Sequence, residues 1–539
     1  MKKLKYIGLP LLVIAMVTAS CKKDFLKETV YSSYSPSTLR DALGFEASLI
    51  GLYNHFAQFY TRDDRQGWLS VWQAGTDIAY AANPEGIERP YYDYSQLLPT
   101  DAAASYTWSW SYRLINNANI IIKNIEDPAV TGIPDATKKL INAEARFFRA
   151  LAYNTLATCF GDVPLVREPL DAPKTDFTRT PLAEINALIE EDLLFAATHL
   201  PEVGGVGAAN NAAGKPAGRA NKYMAMQLLA QAYLRMDKND KAEEQTMAII
   251  NSGKFELNKT RFGSTSFPGD AFSDLFVYGK QRRSQGNKEV IWVQEMEPNA
   301  SVVGGTQNNP QQRRVWGTGY HNVTGMRVAD SLGGRSLGRL RLNNWVLYNL
   351  YEETDMRNSP FNIRRTYWYN HPNYPNLMGT QVPKTASDTV TNLGAHTTKW
   401  YQFDPKDTFG YAMIKDIIHM RLGETYLLQA EAQFKQGKLT DAATSINAIR
   451  SRANATPVTA GDITLDFILD ERARELVGEE NRRMTLMRTK TLVQRAMRLN
   501  ANSPRNPLSN ISDKHLLLPI PLSEIQLNKD AVIAQNPGY

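Results

Sequence analysis

The thiol of Cys21 stands where a cell would acylate it. It follows Thr18-Ala19-Ser20 at the end of a twelve-residue apolar run, Tyr6 to Val17, and Lys2, Lys3 and Lys5 precede that run. A basic start, a short apolar core and small residues before a cysteine are what lipoprotein-processing enzymes read. Twelve residues are also too few to cross a bilayer as a helix. Residues 1–20 are therefore expected to be a lipoprotein signal peptide, and Cys21 the lipidated first residue of the mature chain. Thr18 departs from the Leu usual at that place, so the alternative is an ordinary secretory signal with an incidental cysteine. Lys22, Lys23 and Asp24 follow at once and no Ala-x-Ala site leads into a folded segment, which favours the lipid.

The remaining reactive side chains offer less. The seven histidines, at 55, 199, 321, 371, 396, 419 and 515, never fall at helical i, i+4 spacing, and no zinc-type Cys/His cluster accompanies them. Asp237-Lys238-Asn239-Asp240 begins like a calcium loop but lacks the following Gly and the distal Glu, and reads as a turn between helices. Gly214-Lys215 has Ala209 where a phosphate loop needs its first Gly and Pro216 where it needs Ser or Thr. Carboxylates are plentiful, yet nothing in the sequence sets two of them across a cleft as a glycosidase requires. The expectation is no catalytic residue, no metal and no cofactor: a binding protein and not an enzyme. Glu471, Arg472, Arg474, Glu475, Glu479, Arg482 and Arg483 read as a structural ion network on one helix, with Glu471 paired to Arg474 and Glu479 to Arg482 and Arg483.

These side chains need a scaffold, and the bulk composition allows a large one. Removing residues 1–20, which hold three Lys, leaves 58 basic against 55 acidic residues, a formal charge of +3 on the mature chain. So even a balance gives no electrostatic case for nucleic acid. Beyond Cys21 the only cysteine is Cys159, so the exported body is held by packing alone. Cys159 falls in step with Ile141, Ala145, Phe148, Ala152 and Thr155 on one helical stripe and is expected in the core.

Helical periodicity is strong at 38–60, 106–126, 137–160, 181–200 and 219–252. It gives way between about 260 and 410 to Gly, Asn, Pro and aromatic residues, as in Gly304-Gly305, Gly333-Gly334 and Tyr367-Trp368-Tyr369-Asn370-His371-Pro372, which are loop and short-strand signals. It returns at 416–454 and 465–490. The helices on either side of the irregular stretch repeat each other: Leu228, Ala230, Ala232, Lys238, Ala242, Ala248 and Ile249 recur as Leu428, Ala430, Ala432, Lys438, Ala442, Ala448 and Ile449, each displaced by 200 positions. Both copies read as tetratricopeptide-like helical hairpins separated by a large insert, with chance likeness of Ala-rich helices as the alternative. The fold class is therefore mainly α, with a loop-rich insert carrying short strands. Its parts are a signal peptide at 1–20, a lipidated tether at 21–36, an N-terminal helical part with loops at 37–260, the insert at 261–410, C-terminal helices at 411–495 and an extended tail packing on the scaffold at 496–539.

Several stretches then point to one family. Ala143-Glu144-Ala145-Arg146-Phe147-Phe148-Arg149-Ala150 with Phe160-Gly161-Asp162-Val163-Pro164-Leu165 resembles the signature helix and turn of SusD/RagB-type lipoproteins of Bacteroidetes. Similar to the same family are Gly218-Arg219-Ala220, Arg421 with Glu424, Ala430-Glu431-Ala432, Ile446 to Ala453, Glu471-Arg472-Ala473-Arg474-Glu475-Leu476, Leu518-Pro519-Ile520-Pro521 and Gln535 to Tyr539. The resemblance implies a surface-exposed outer-membrane lipoprotein with four tetratricopeptide-like units. Such a protein sits as a lid on a SusC-like TonB-dependent barrel, captures nutrient, usually glycan, and touches the membrane only through its lipid. It also implies that the ligand surface comes from loops of the N-terminal third and of the insert.

A sugar presents apolar C–H faces and a fringe of hydroxyls, so its site needs rings beside polar side chains. Trp68, Trp72, Asp77, Tyr80, Tyr91 and Tyr92, with Tyr94, lie in the first of those regions; Trp316, Tyr320 and Trp368, with Tyr369, lie in the second. They are the expected ligand-binding residues, as a platform joining rings of both regions. Trp108 and Tyr112, at i, i+4, are expected in the core instead. Peptide capture on the same scaffold, a surface glycoside hydrolase and a lid with no affinity of its own are the competing readings.

Overall fold

The computed structural model describes residues 40–61, 67–297, 311–385, 389–410 and 413–539. Cys21 and the tether lie outside the described residues. Long helices come first: α1 (Ala42–Thr61), α2 (Ala102–Glu126), α3 (Asp135–Phe160), α4 (Leu182–His199), α5 (Lys222–Arg235) and α6 (Asn239–Ile250). The middle of the chain carries two one-turn helices, α7 (Gln312–Trp316) and α8 (Asn344–Tyr348). Then follow α9 (Leu422–Lys435), α10 (Leu439–Arg452), α11 (Leu465–Leu476), α12 (Arg482–Arg488), α13 (Leu492–Asn500) and α14 (Leu522–Leu527). Short strands are β1 (Ala79–Ala81), β2 (Val290–Gln294), β3 (Leu340–Leu342), β4 (Ile363–Arg364), β5 (His396–Thr397) and β6 (Ile417–Arg421), paired antiparallel as β1 with β3, β2 with β6 and β4 with β5. The protein is mainly helical.

The 200-residue displacement is real in space. α5 and α9 begin and end 200 positions apart, and each is followed by the same turn. Asp237 (φ 56°) and Gly437 (φ 75°) hold the left-handed conformation, and the N–H of the next residue, Lys238 or Lys438, donates to the carbonyl five residues back, Tyr233 or Gln433, at 2.9 Å in both. The Asp237 segment is thus a helical-hairpin turn. The two hairpins lie side by side. Gln227 Nε2 donates to Glu424 Oε2 (2.9 Å), Gln433 Nε2 to Glu243 Oε1 (3.1 Å) and Lys438 Nζ to Glu243 Oε2 (2.6 Å). The insert leaves and re-enters this stack at one place, because β2 and β6 pair at its base and Leu422 N donates to Glu289 O.

The N-terminal helices pack through their apolar stripes and two buried ion pairs. Arg149 of α3 forks onto Asp192 of α4 (2.7 and 2.8 Å) and reaches Asn119 of α2. Glu144, one turn earlier, accepts from Arg219 (2.9 Å) and from the Tyr53 hydroxyl of α1 (2.7 Å). Cys159 is buried, as are Ile141, Ala145, Phe148 and Ala152 of its stripe, while Thr155 is half-buried; burial pushes the Cys159 thiol up to about 12. Trp108 is buried against Tyr112, ring centroids 5.0 Å apart, as their spacing implied.

The ion network of the C-terminal helices differs from the expected one. Glu471 does meet Arg474 (2.8 Å), but α11 ends at Leu476, so Glu479 and Arg482 do not share a helix. Glu479 instead binds Lys399 of the insert and Arg421 of β6, while Arg482 and Arg483 turn toward the N-terminal part. Most of the network is buried, where losing one partner costs about 3–5 kcal/mol instead of the tenths an exposed pair is worth.

Candidate functional site

The two regions expected to share a ligand do meet, at the β1–β3 pair: Tyr80 lies opposite Arg341, and Ala79 opposite Leu342. Their rings face inward. Trp68, Trp72, Tyr91, Tyr92 and Tyr94 are buried, as are Tyr80, Trp316 and Tyr320, and none of these presents an open face for stacking at the surface. Trp68 donates its indole N–H to Phe59 O (2.6 Å) and meets the Tyr106 ring edge-on; the Tyr91 hydroxyl donates to Asp101 (2.7 Å), and the Tyr320 hydroxyl to Gly334 O (2.9 Å). Asp77 is buried too and accepts from Arg482 (2.8 and 2.6 Å) and Arg495 (2.7 Å). Burial opposes ionisation of Asp77, but the two guanidiniums outweigh it and hold its pKa below the ordinary value.

The reason is Arg483. An irregular segment normally stays at the surface because its carbonyls need water. Here Arg483 of α12 donates to the carbonyls of Val71 (2.9 Å), Tyr91 (3.1 Å) and Ala74, and to the Tyr94 hydroxyl. With its carbonyls satisfied, the 68–94 segment can be covered by the C-terminal helices.

Trp368 is the exception, at 46% exposure. It sits on a hairpin spanning 367–382, in which Tyr369 N donates to Thr380 O (3.0 Å) and Val382 N to Tyr367 O (2.9 Å), with Trp368 bridged directly to Gln381. Alternation along an extended strand sends Tyr367 and Trp368 to opposite faces. Tyr367 is fully buried and anchors the hairpin, its hydroxyl lying within 3.1 Å of Thr318 Oγ1 and His396 Nδ1 and donating to Gly394 O (2.8 Å). Tyr369 packs against Gly325, where any Cβ would come within 2.7 Å of the ring and where φ is +89°. On the outer face Trp368 is accompanied by the amide of Gln381 across the ladder. Beyond the turn stand Tyr374, whose ring meets His371 edge-on, and Leu377 and Met378. An exposed indole beside a side-chain amide is the equipment for stacking on a sugar face while bonding its rim hydroxyls.

Sequence reasoning missed Tyr374 and also Tyr348, 71% exposed at the end of α8 and within electrostatic reach of Tyr80 and Arg365. Tyr374 could have been found, because it extends the Tyr367–Pro372 run past a turn-forming His-Pro-Asn. Tyr348 carries no such signal: on a one-turn helix, periodicity does not say which side faces out.

His396, under the hairpin, makes its anchorage pH-dependent. Burial first, then the charge of Arg341, pushes its pKa down to about 3. An unfolded imidazole titrates near 6.5, so below that pH the unfolded chain takes up a proton that the folded chain refuses, and stability falls as pH drops from 6.5 toward 3. The loss is about 1.4 kcal/mol per pH unit, or about 2 kcal/mol at pH 5. Urea unfolding of the parent between pH 7 and pH 5 should lose that much more than His396→Gln does. Equal losses in the two proteins would refute the assignment.

A second feature is a recess partly open to solvent. A cavity of about 250 Å³ lies where α1, α3, α5, β6, α9, α11 and α12 converge, and Trp72 and Trp316 line it. Two rings expected at a surface platform thus do line free space, in the wall of a partly open recess.

Known proteins match along nearly the whole chain. Residues 206–539 fit the model of the SusD family, and residues 27–234 fit one described as starch-binding associating with outer membrane. SusD-like protein P25 of Formosa agariphila is 24% identical over 96% of this chain and 97% of its own. Among solved structures, a laminarin binding SusD-like protein superposes with a TM-score of 0.67 at 22% identity, covering 93% of this chain and 100% of that one. Surface glycan-binding protein A from Bacteroides thetaiotaomicron, in complex with laminarihexaose, superposes at 0.69 with 16% identity over 92% and 99%. The stacked helical hairpins, the insert closed at its base and a family model fitted to more than half the chain lead to one assignment: the protein belongs to the SusD family.

Proposed function

We propose that the protein is a non-catalytic, lipid-anchored glycan-binding protein of the outer membrane, facing the cell exterior. It captures oligosaccharide and hands it to a SusC-like TonB-dependent transporter. The observation that carries the ligand class is the 367–382 hairpin, with Trp368 exposed opposite Gln381 and the fold anchored behind it by Tyr367. Family membership supports the barrel partner, and the match to an outer-membrane-associated family model supports the location. The lipid rests on Cys21, and several acyl chains on one cysteine suffice for stable anchoring.

Laminarin is the first glycan to try, because two structural relatives bind it or its hexasaccharide. Stacking and burial of one indole face together contribute about 2 kcal/mol, so Trp368→Ala should weaken capture of the bound glycan more than tenfold in affinity electrophoresis, with thermal unfolding unchanged. If Trp368→Ala and Tyr374→Ala both bind every captured glycan as the parent does, the hairpin is not the platform. The exposed Leu377 and Met378 of the same hairpin would suit apolar side chains, so a peptide panel belongs in the same calorimetry. Release of reducing ends from any glycan by the purified protein would replace binding with hydrolysis.

A further inference from the structure

Charge is uneven along the chain. The described stretch 311–385, which carries the Trp368 hairpin, holds ten basic residues against four acidic ones, a formal +6. The mature chain totals +3, so everything outside that stretch carries −3. Of the four carboxylates, Glu352 is taken by Arg450 of α10 and Asp355 by Arg357. Several of the cations collect at the hairpin. Arg364 and Arg365 run directly into Tyr367 and Trp368, and Lys384 follows the returning strand with its ammonium 5.6 Å from the centre of the Tyr367 ring. Arg327 is tied on by its backbone, its N–H donating to Asn370 Oδ1 (2.8 Å) and its carbonyl accepting from Asn370 Nδ2 (3.0 Å). Asn370 stands two residues on from Trp368, the interval at which an extended strand returns to the same face, so Arg327 borders the side of the hairpin that the indole occupies.

Elsewhere in the molecule buried guanidiniums face carboxylates, as Arg149 faces Asp192 and Arg482 faces Asp77. At the hairpin they do not. Arg364 bonds the Tyr401 hydroxyl (2.8 Å) and Ser331 O (3.0 Å), Arg365 bonds Leu347 O (2.9 Å) and Asn358 Oδ1 (2.6 Å), and Lys384 bonds Arg365 O. Such neutral acceptors hold a cation in place without cancelling its charge. Among the described residues the exposed Arg327 guanidinium has no hydrogen bond and no ion pair. The neighbours register the resulting field: burial and then Arg365 lower the pKa of Lys384, and Arg341, Arg364 and Lys384 all push His396 the way burial does.

A positive field around an exposed indole discriminates among sugars. A neutral glycan finds no ionic attraction there. A ring bearing carboxylate or sulfate gains charge-assisted bonds from a guanidinium while its C–H face still lies on the indole. We propose that the hairpin takes an anionic glycan, with a ring on Trp368 and an acid group on Arg327. This rests on the reading of the hairpin as a glycan platform and adds the class of glycan.

The test is calorimetry on the full chain in detergent. Alginate and polygalacturonate are the carboxylate probes, dextran sulfate is the sulfate probe, laminarin is the neutral glycan, and poly-L-glutamate is a polyanion without sugar rings. At least one anionic glycan should bind about tenfold more tightly than laminarin or poly-L-glutamate, and lose about tenfold in affinity between about 50 and 500 mM NaCl. Which probe binds separates carboxylate from sulfate. Arg327→Glu replaces a side chain that holds no other, so it should weaken that glycan about tenfold while laminarin binding and the thermal midpoint stay as in the parent. Lys139→Glu, the same charge change on α3 near His199, should leave the affinity unchanged. Laminarin bound through Trp368 as tightly as any anionic glycan, or binding indifferent to salt and to Arg327→Glu, overturns the charged class and leaves the platform standing. Poly-L-glutamate bound as tightly overturns it as bare charge attraction. An anionic glycan lost in Arg327→Glu but kept in Trp368→Ala overturns the stacking platform and upholds the charge.

Discussion

Asp77→Ala is expected to destabilise the protein by about 3–5 kcal/mol and to release the segment it belongs to. Asp77 is the one carboxylate shared by Arg482 and Arg495, all three fully buried, and removing it leaves two guanidiniums facing each other without the charge that brought them there. Glu480, Asp466 and Asp470 retain part of their hold on those arginines, which keeps the loss from being larger. The signature is local as well as global. Trp68 and Trp72 lie on the same segment, so their fluorescence should shift to the red, and amides from Ser70 to Ala82 should lose protection from hydrogen exchange before the helical repeats do. Asp466→Ala is the comparison: its side chain is half-exposed, its pair with Arg498 is at the surface, and the buried Arg495 keeps Asp77 and Asp470 without it, so it should cost clearly less than Asp77→Ala. If both variants lower the urea midpoint equally, Asp77 is not the clamp described.

The second large effect is expected at Glu475. Arg357 of the insert (3.1 Å), Arg421 of β6 (2.5 Å) and Arg452 of α10 converge on this one carboxylate of α11. Burial opposes its charge, yet Arg452, Arg421 and Arg357 together drive its pKa well below the ordinary range. Glu475→Ala should cost at least as much as Asp77→Ala, because it uncouples the insert from the repeats by leaving three cations close together. Glu475→Gln, which keeps the acceptor oxygen but not the charge, should fall between parent and Ala. A Glu475→Ala protein with the parent's urea midpoint would mean that Glu289, Glu471 and Glu479 hold the arginines without it.

What could be read from the sequence follows from the range of the forces involved. The 135–160 helix declares itself through local periodicity, and the paired hairpins through identical residue types 200 positions apart. Both signals live within short windows. The expected surface platform places Trp68, Trp72, Tyr91 and Tyr92 in loops, and loops are usually exposed because bare carbonyls stay wet. Exposure fails here because Arg483, about 400 residues away in the chain, takes the place of water on those carbonyls. The burial of Asp77 is hidden from local sequence for the same reason: its partners Arg482 and Arg495 lie over 400 positions downstream. Trp368 stayed outside because its own neighbours decide the matter, a strand alternation and a turn within sixteen residues, all visible in the local run.

The pairing of β2 with β6 has an evolutionary consequence. Chain entropy rises only with the logarithm of a loop's length, about 0.6 kcal/mol for each doubling, so once a segment is stapled shut at its root its contents are nearly free to change. Lineages could therefore lengthen or shorten outer loops between those two strands, such as the 367–382 hairpin, while the buried ties of Arg357 and Lys399 kept the insert seated on the helical stack.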